Sequence, residues 1–166
     1  MKVITCQTYG PPESLIVQQI DAPTPTASQV RVKVAAAGVN FVDALFVAGS
    51  YQVKIPPPFI PGNELAGVID TLGSDVEGFS LGDRVMAQVG VGAFAEQVCV
   101  PAKALRLIPE AMSMEAAAAF QLTYATASMP CASAASCSPA KLYWCWPPRV
   151  AWAALPWTWR NDSAPG

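Results

Sequence analysis

The chain of 166 residues contains no histidine, and no glycine lies between Gly92 and Gly166 although ten precede that gap. Without imidazole, Ser-His and Cys-His nucleophile–base pairs are excluded and zinc loses one of its principal ligands. Charge is sparse, at 13% of residues, and its net value of −2 leaves no basic excess to attract nucleic acid. No apolar run approaches the ~20 residues that span a bilayer. The start, Met1-Lys2-Val3-Ile4-Thr5-Cys6, runs into Gln7, Tyr9 and Gly10 too soon for the apolar part of a signal peptide. The expected compartment is the cytoplasm, with neither membrane nor nucleic acid as partner.

What is present is apolar enough to fold. A hydrophobic fraction of 52% excludes disorder by charge repulsion over the whole chain. One domain of this length buries about two-thirds of the surface its unfolded form exposes. Character changes near Ala127. Before it, short valine-rich runs alternate with glycine and aspartate turns; after it come Cys131, Cys137, Cys145, all five tryptophans from Trp144 to Trp159, and prolines without a sustained hydrophobic period. Residues 1–127 hold seven Lys or Arg against eleven Asp or Glu, and the remainder three against one. Cys6 and Cys99, isolated in strand-like runs, read as buried thiols.

Val30-Arg31-Val32-Lys33-Val34 alternates apolar with charged side chains, which at period 2 predicts a half-buried antiparallel strand. Further strands are predicted at Val3–Cys6, Leu15–Val17, Leu65–Leu72, Arg84–Ala87 and Phe94–Val100, punctuated by Gly10-Pro11-Pro12, Gly73-Ser74-Asp75 and Leu81-Gly82-Asp83. Many short strands at such spacing indicate a mainly β barrel or sandwich. Asn40–Phe46 lacks alternation and predicts one or two helical turns, after a Gly38 that lets the chain bend. Ser113 is placed to cap a helix, with Glu115 favourable at its positive end, that continues through Thr123 and Thr126. An isolated barrel offers that helix little to pack against, so its apolar face is expected to be exposed and its end frayed.

Three stretches, in order and at kept spacing, carry a family resemblance: Ala36-Ala37-Gly38-Val39-Asn40-Phe41-Val42-Asp43, Pro61-Gly62-Asn63-Glu64-Leu65-Ala66-Gly67-Val68 and Leu81-Gly82-Asp83-Arg84-Val85. Residues 1–127 resemble the N-terminal GroES-like catalytic domain of the medium-chain dehydrogenase/reductases, in the zinc-independent quinone oxidoreductase branch. The resemblance implies a partly open β-barrel with short helices, facing across a cleft a Rossmann domain that binds NADPH. The implied reaction is hydride transfer to a quinone or to the β-carbon of an enone. Zinc-dependent relatives place a cysteine where this chain has Asn40 and a histidine where it has Asn63. The four-cysteine structural zinc lobe is also absent between Ala87 and Val100. Amides are poor zinc ligands, so no metal is expected.

Without a Lewis acid the acceptor must be polarised by hydrogen bonds. The resemblance puts Asn40 forward as a donor to the developing oxyanion or a contact of the nicotinamide; as a plain residue it is a helix N-cap. Tyr51 is either a second hydroxyl donor or a surface aromatic before Pro56-Pro57-Pro58. Asp43 is a cleft carboxylate by resemblance or a solvated one by composition. Glu64 is expected to support its loop. Thr126 matches a threonine near the nicotinamide, or bonds to the preceding helical turn.

In the family the chain then enters a strand and a Gly-Gly-Val-Gly loop that holds the pyrophosphate. Residues 128–166 contain no such loop and are expected to be an irregular, disordered tail replacing the start of the NADPH-binding domain. Shifted by one reading frame, however, Tyr143-Trp144-Cys145-Trp146-Pro147 must encode Leu-Val-Leu-Ala, and the Trp152-Ala153 junction must encode glycine. Free choices elsewhere complete a family-like helix, strand and glycine loop. A base insertion or deletion near Ser128 is therefore expected. With the Rossmann half missing, this chain is expected to be an inactive catalytic domain that binds no NADPH and lacks the family's homodimer contact; the alternative is a non-catalytic binding module.

Overall fold

The computed structural model describes residues 1–126. The predicted tail 128–166 and its shifted reading lie outside the described residues. The described chain is mainly β, in two sheets that do not close into one barrel. A five-stranded antiparallel sheet has the order β6 (Gln97–Pro101), β3 (Gln29–Gly38), β4 (Glu64–Leu72), β5 (Arg84–Gln88) and β7 (Leu105–Leu107). β1 (Lys2–Thr5) and β2 (Ile16–Gln19) form the second sheet. Backbone bonds from Ile4 N–H to Phe94 O at 2.9 Å and from Cys6 N–H to Phe59 O at 2.8 Å tie this pair to the rest of the fold.

Alternation along β3 works as predicted. Val30 and Val32 are fully buried and share the principal core with Leu65, Ile69, Val85, Val100 and Leu105, while Arg31 turns outward to pair with Asp70 at 2.8 Å. Apolar burial on this scale contributes about 1.5–3 kcal/mol per aliphatic side chain, against a half-buried but still solvent-screened ion pair worth about 1 kcal/mol. The core therefore fixes register and the ion pair decorates it. Predicted strand ends shift by up to four residues, at the end of β3, and β7 was not foreseen because Leu105-Arg106-Leu107 is too short to show a period.

The helix after Pro109 departs from expectation in two ways. It consists of α2 (Met114–Ala118) and a separate helical stretch at 121–126, interrupted at 119–120. It also has a partner: Ala117 and Ala118 are buried against Ala66, Met86 and Ile108, with Phe120 packed alongside. An alanine face fits closely on a sheet because it has no bulk to accommodate, a contact that periodicity alone does not reveal. The predicted Ser113 cap is present, its hydroxyl accepting the Ala116 N–H at 3.2 Å. Glu115 is held below the usual carboxylate range by its own backbone amide and then by Ser113.

Candidate functional site

β3 and β4 run side by side until Gly38 lies opposite Glu64. The chain then leaves β3 through Val39 and Asn40 and starts α1 (Phe41–Val47), with Asn40 as N-cap. Gly38 was expected to provide a bend; its φ is not in the left-handed region, and its role is close approach. A β-carbon there would sit 2.6 Å from Ala118 O and 2.7 Å from Glu64 Oε1. The missing side chain makes room for a carboxylate beneath α2.

Glu64 is 1% exposed. Its Oε1 accepts the Asn40 Nδ2–H at 2.9 Å, and its Oε2 accepts the backbone N–H of Leu122 at 2.9 Å. A carboxylate only accepts when ionised, so the Asn40 atom facing it must be the amide nitrogen. Asp43 holds the same asparagine from the other side, Oδ2 accepting the Asn40 backbone N–H at 2.8 Å. Both expected roles of Asn40 are thus compatible: it begins the helix, and its half-buried side chain is fixed by a carboxylate.

Asp43 is not the solvated carboxylate its composition suggested; it is buried. Burial pushes its carboxyl above the ordinary aspartate value; the Asn40 amide opposes the shift and the charge of Glu64 adds to it. The backbone amides of Gly62 and Asn63 also oppose the shift as nearby donors, but neither reaches Oδ1 with hydrogen-bond geometry. A raised carboxyl gives stability that is complete below the ordinary aspartate range and is lost as pH rises through the raised value. Denaturation midpoints between about pH 4 and 8 should therefore fall with pH in the parent relative to Asp43→Asn. A constant difference across that range would show that folding does not raise the Asp43 carboxyl.

Asn63, beside Glu64, donates Nδ2–H to Gly90 O at 3.2 Å and leaves a buried Oδ1 without a partner. Gln121 Oε1 is the remaining buried unpaired side-chain oxygen among the described residues. All three such atoms belong to residues that adjoin Glu64, lie next to its bonded partner Leu122, or interact with it electrostatically. Sequence reading passed over Asn63 as a lost zinc position and did not mark Gln121; no local signal identifies either.

The other predicted residues are not drawn into this cluster. Tyr51 lies beyond the far end of α1, its ring 4.6 Å from Phe46 and half-buried, and its hydroxyl makes no hydrogen bond among the described residues. Thr126 is exposed, one helical turn past Leu122. Among the described residues no three Cys, Asp or Glu side chains gather as a metal site, and no helix is long and apolar enough to cross a membrane. Cys6 is buried but Cys99 only half-buried, and burial pushes both thiols up, which makes them poor nucleophiles.

Residues 26–110 match the alcohol dehydrogenase GroES-like domain. The chain is 35% identical over 127 residues to the synaptic vesicle membrane protein VAT-1 homolog-like of Mus musculus, covering 76% of this chain and 30% of that protein. It is 39% identical over 128 residues to the quinone oxidoreductase-like protein 2 homolog of Nematostella vectensis, covering 76% of this chain and 34% of that one. Among solved structures, the Escherichia coli quinone oxidoreductase complexed with NADPH superposes with a TM-score of 0.72 at 31% identity, over 77% of this chain and 39% of that one. The chain spans about a third of the length of these curated relatives.

Proposed function

Since the chain belongs to the alcohol dehydrogenase GroES-like domain family, we propose that residues 1–126 are the acceptor-binding lobe of a zinc-independent, NADPH-dependent quinone or enone reductase. The observation that carries this reading is the Asn40 amide. One of its Nδ2 protons is taken by Glu64, its backbone is held by Asp43, and the second Nδ2 proton remains for a ligand. A fixed amide donor polarises a carbonyl without having to reorganise when charge develops on oxygen. Val39 and Phe41, 81% and 73% exposed on either side of it, offer apolar surface to a flat acceptor.

NADPH supplies hydride when bound in such reductases, but the residues of this chain do not fit it. The pyrophosphate needs a close backbone approach that only glycine permits, and no glycine lies between Gly92 and Gly166. We infer that these 166 residues by themselves do not turn over as a reductase, which agrees with a frame change near Ser128. Tyr51 and Thr126 keep subsidiary parts, at the acceptor and the nicotinamide respectively, in a cytoplasmic protein.

NADPH fluorescence and reduction of a simple quinone test this together. The chain as it stands should give neither binding nor turnover, and a dinucleotide seated on it with turnover would overturn the proposal. Resequencing through Ser128 checks the frame. The exposed Val39 and Phe41 also favour a second reading, a non-catalytic GroES-like module that binds a partner through this rim. Sedimentation that resolves a defined complex in place of a monomer would support it.

A further inference from the structure

Glu64 has more connections than a loop support requires. It is buried, carries a charge, and has no cation beside it: the one side-chain ion pair among the described residues joins Arg31 to Asp70. Removing a carboxylate from water costs several kcal/mol unless its oxygens are satisfied. Here each oxygen takes one donor, and the donors come from separate parts of the chain. Asn40 belongs to the start of α1; Leu122 belongs to the helical stretch that carries Thr126. Gly38 is kept bare at the point where a methyl group would meet Glu64 Oε1 and Cγ.

We propose that Glu64 is the positioning residue of this site: one oxygen aims the Asn40 amide, the other grips the backbone at Leu122, and donor and helix are thereby held in one arrangement. The inference rests on the reading of Asn40 as the acceptor's donor and adds how that donor is aimed. It also makes residues 121–126 part of the aiming. A displacement of that helical stretch pulls on Glu64, and Glu64 in turn releases or tightens Asn40. Two neutral donors on a buried carboxylate make strong, short-range bonds, so the coupling is confined to these residues.

The test exploits a difference between carboxylate and carboxamide. Glu64→Gln is nearly isosteric but offers only one acceptor oxygen; it can serve Asn40 or Leu122, never both. Nitrogen-edited NMR of the full 166-residue chain reads the Asn40 side-chain amide and the Leu122 backbone amide separately. In the parent both should be shifted downfield and protected, exchanging at least about tenfold slower than exposed amides. In Glu64→Gln one of the two should lose that signature and the other keep it; in Glu64→Ala both should lose it. Unchanged exchange at Val30 and Val32 shows that the core is intact, and the isosteric variant keeps the test open if Glu64→Ala fails to fold. Retention of both signatures in Glu64→Gln, or their absence from the parent, overturns the proposal.

Titration with 2-cyclohexen-1-one separates this inference from the function it rests on. The enone should shift the second Asn40 Nδ2 proton in the parent and bind about tenfold more weakly to Glu64→Ala, the expected loss when a donor is no longer held in place. If the enone moves nothing in the parent while the amide pattern holds, the acceptor-binding reading falls and the link between Asn40 and Leu122 stands. Equal enone affinity in parent and Glu64→Ala overturns the aiming role.

Discussion

Gly67→Ala is expected to destabilise the fold by about 3 kcal/mol or more, a large part of a margin that for most domains is on the order of 5–15 kcal/mol. Gly67 lies in β4 opposite Val34 of β3, next to an irregularity in the register of these two strands. A β-carbon at this position would fall 2.2 Å from Lys33 O and 2.8 Å from Val32 Cγ1. The first contact is with backbone, which cannot rotate away as a long side chain can. Relief requires β3 and β4 to separate, and these strands carry Val30, Val32, Leu65 and Ile69 at the centre of the core. Denaturant midpoints of parent and variant at constant m-value measure the effect. A difference below about 1 kcal/mol would mean that the sheet absorbs the methyl group by local twist and that the close approach is not a constraint.

Gly38→Ala is expected to cost about 3 kcal/mol by a different route: about 2 from overpacking against Ala118 O, and the rest from hydrogen bonds lost when Glu64 is displaced. Because the new methyl group meets Glu64 Oε1 and Cγ, the damage passes through the carboxylate to Asn40 and Leu122. A double-mutant cycle exposes this. With Glu64→Ala already present, Gly38→Ala should cost at least about 1 kcal/mol less than it does alone, since one of the two obstructions has gone. Additive costs would show that Ala118 O alone sets the penalty and that the carboxylate is free to move aside.

The readable and unreadable parts of this molecule divide by the range of the interaction. Val30 to Val34 could be read because a strand with one face in the core must alternate, and short apolar runs between turn signals placed β4 and β5 within a residue or two. Asn40 as a cap was legible for a similar reason: Asn followed three residues later by Asp is a local hydrogen-bonding pattern. Of the two readings open for Asp43, solvated and in the cleft, the sequence could not choose, because the amides of Gly62 and Asn63 that act on the buried group come from some twenty residues on. The partner of α2 was missed because an alanine face has no period distinct from that of the helix itself. Gly38 was assigned to the right place for the wrong reason: a bend is a local property, whereas its real neighbours come from Glu64 and Ala118.

By itself the sequence determined the mainly β architecture, six of the seven strands among the described residues, the exclusion of histidine chemistry and the lack of a glycine loop after residue 92. These follow from side-chain type and from spacings of two to four residues, which act before the chain has folded. Only the tertiary structure decided that Asn40, Glu64 and Leu122 meet, and that the carboxylates of Asp43 and Glu64 are buried close enough for the charge of one to act on the other. Those contacts join segments 24 and 58 residues apart. Their energies come from desolvation and hydrogen-bond geometry, neither of which exists until β3, β4 and the helical residues after α2 have packed around one carboxylate.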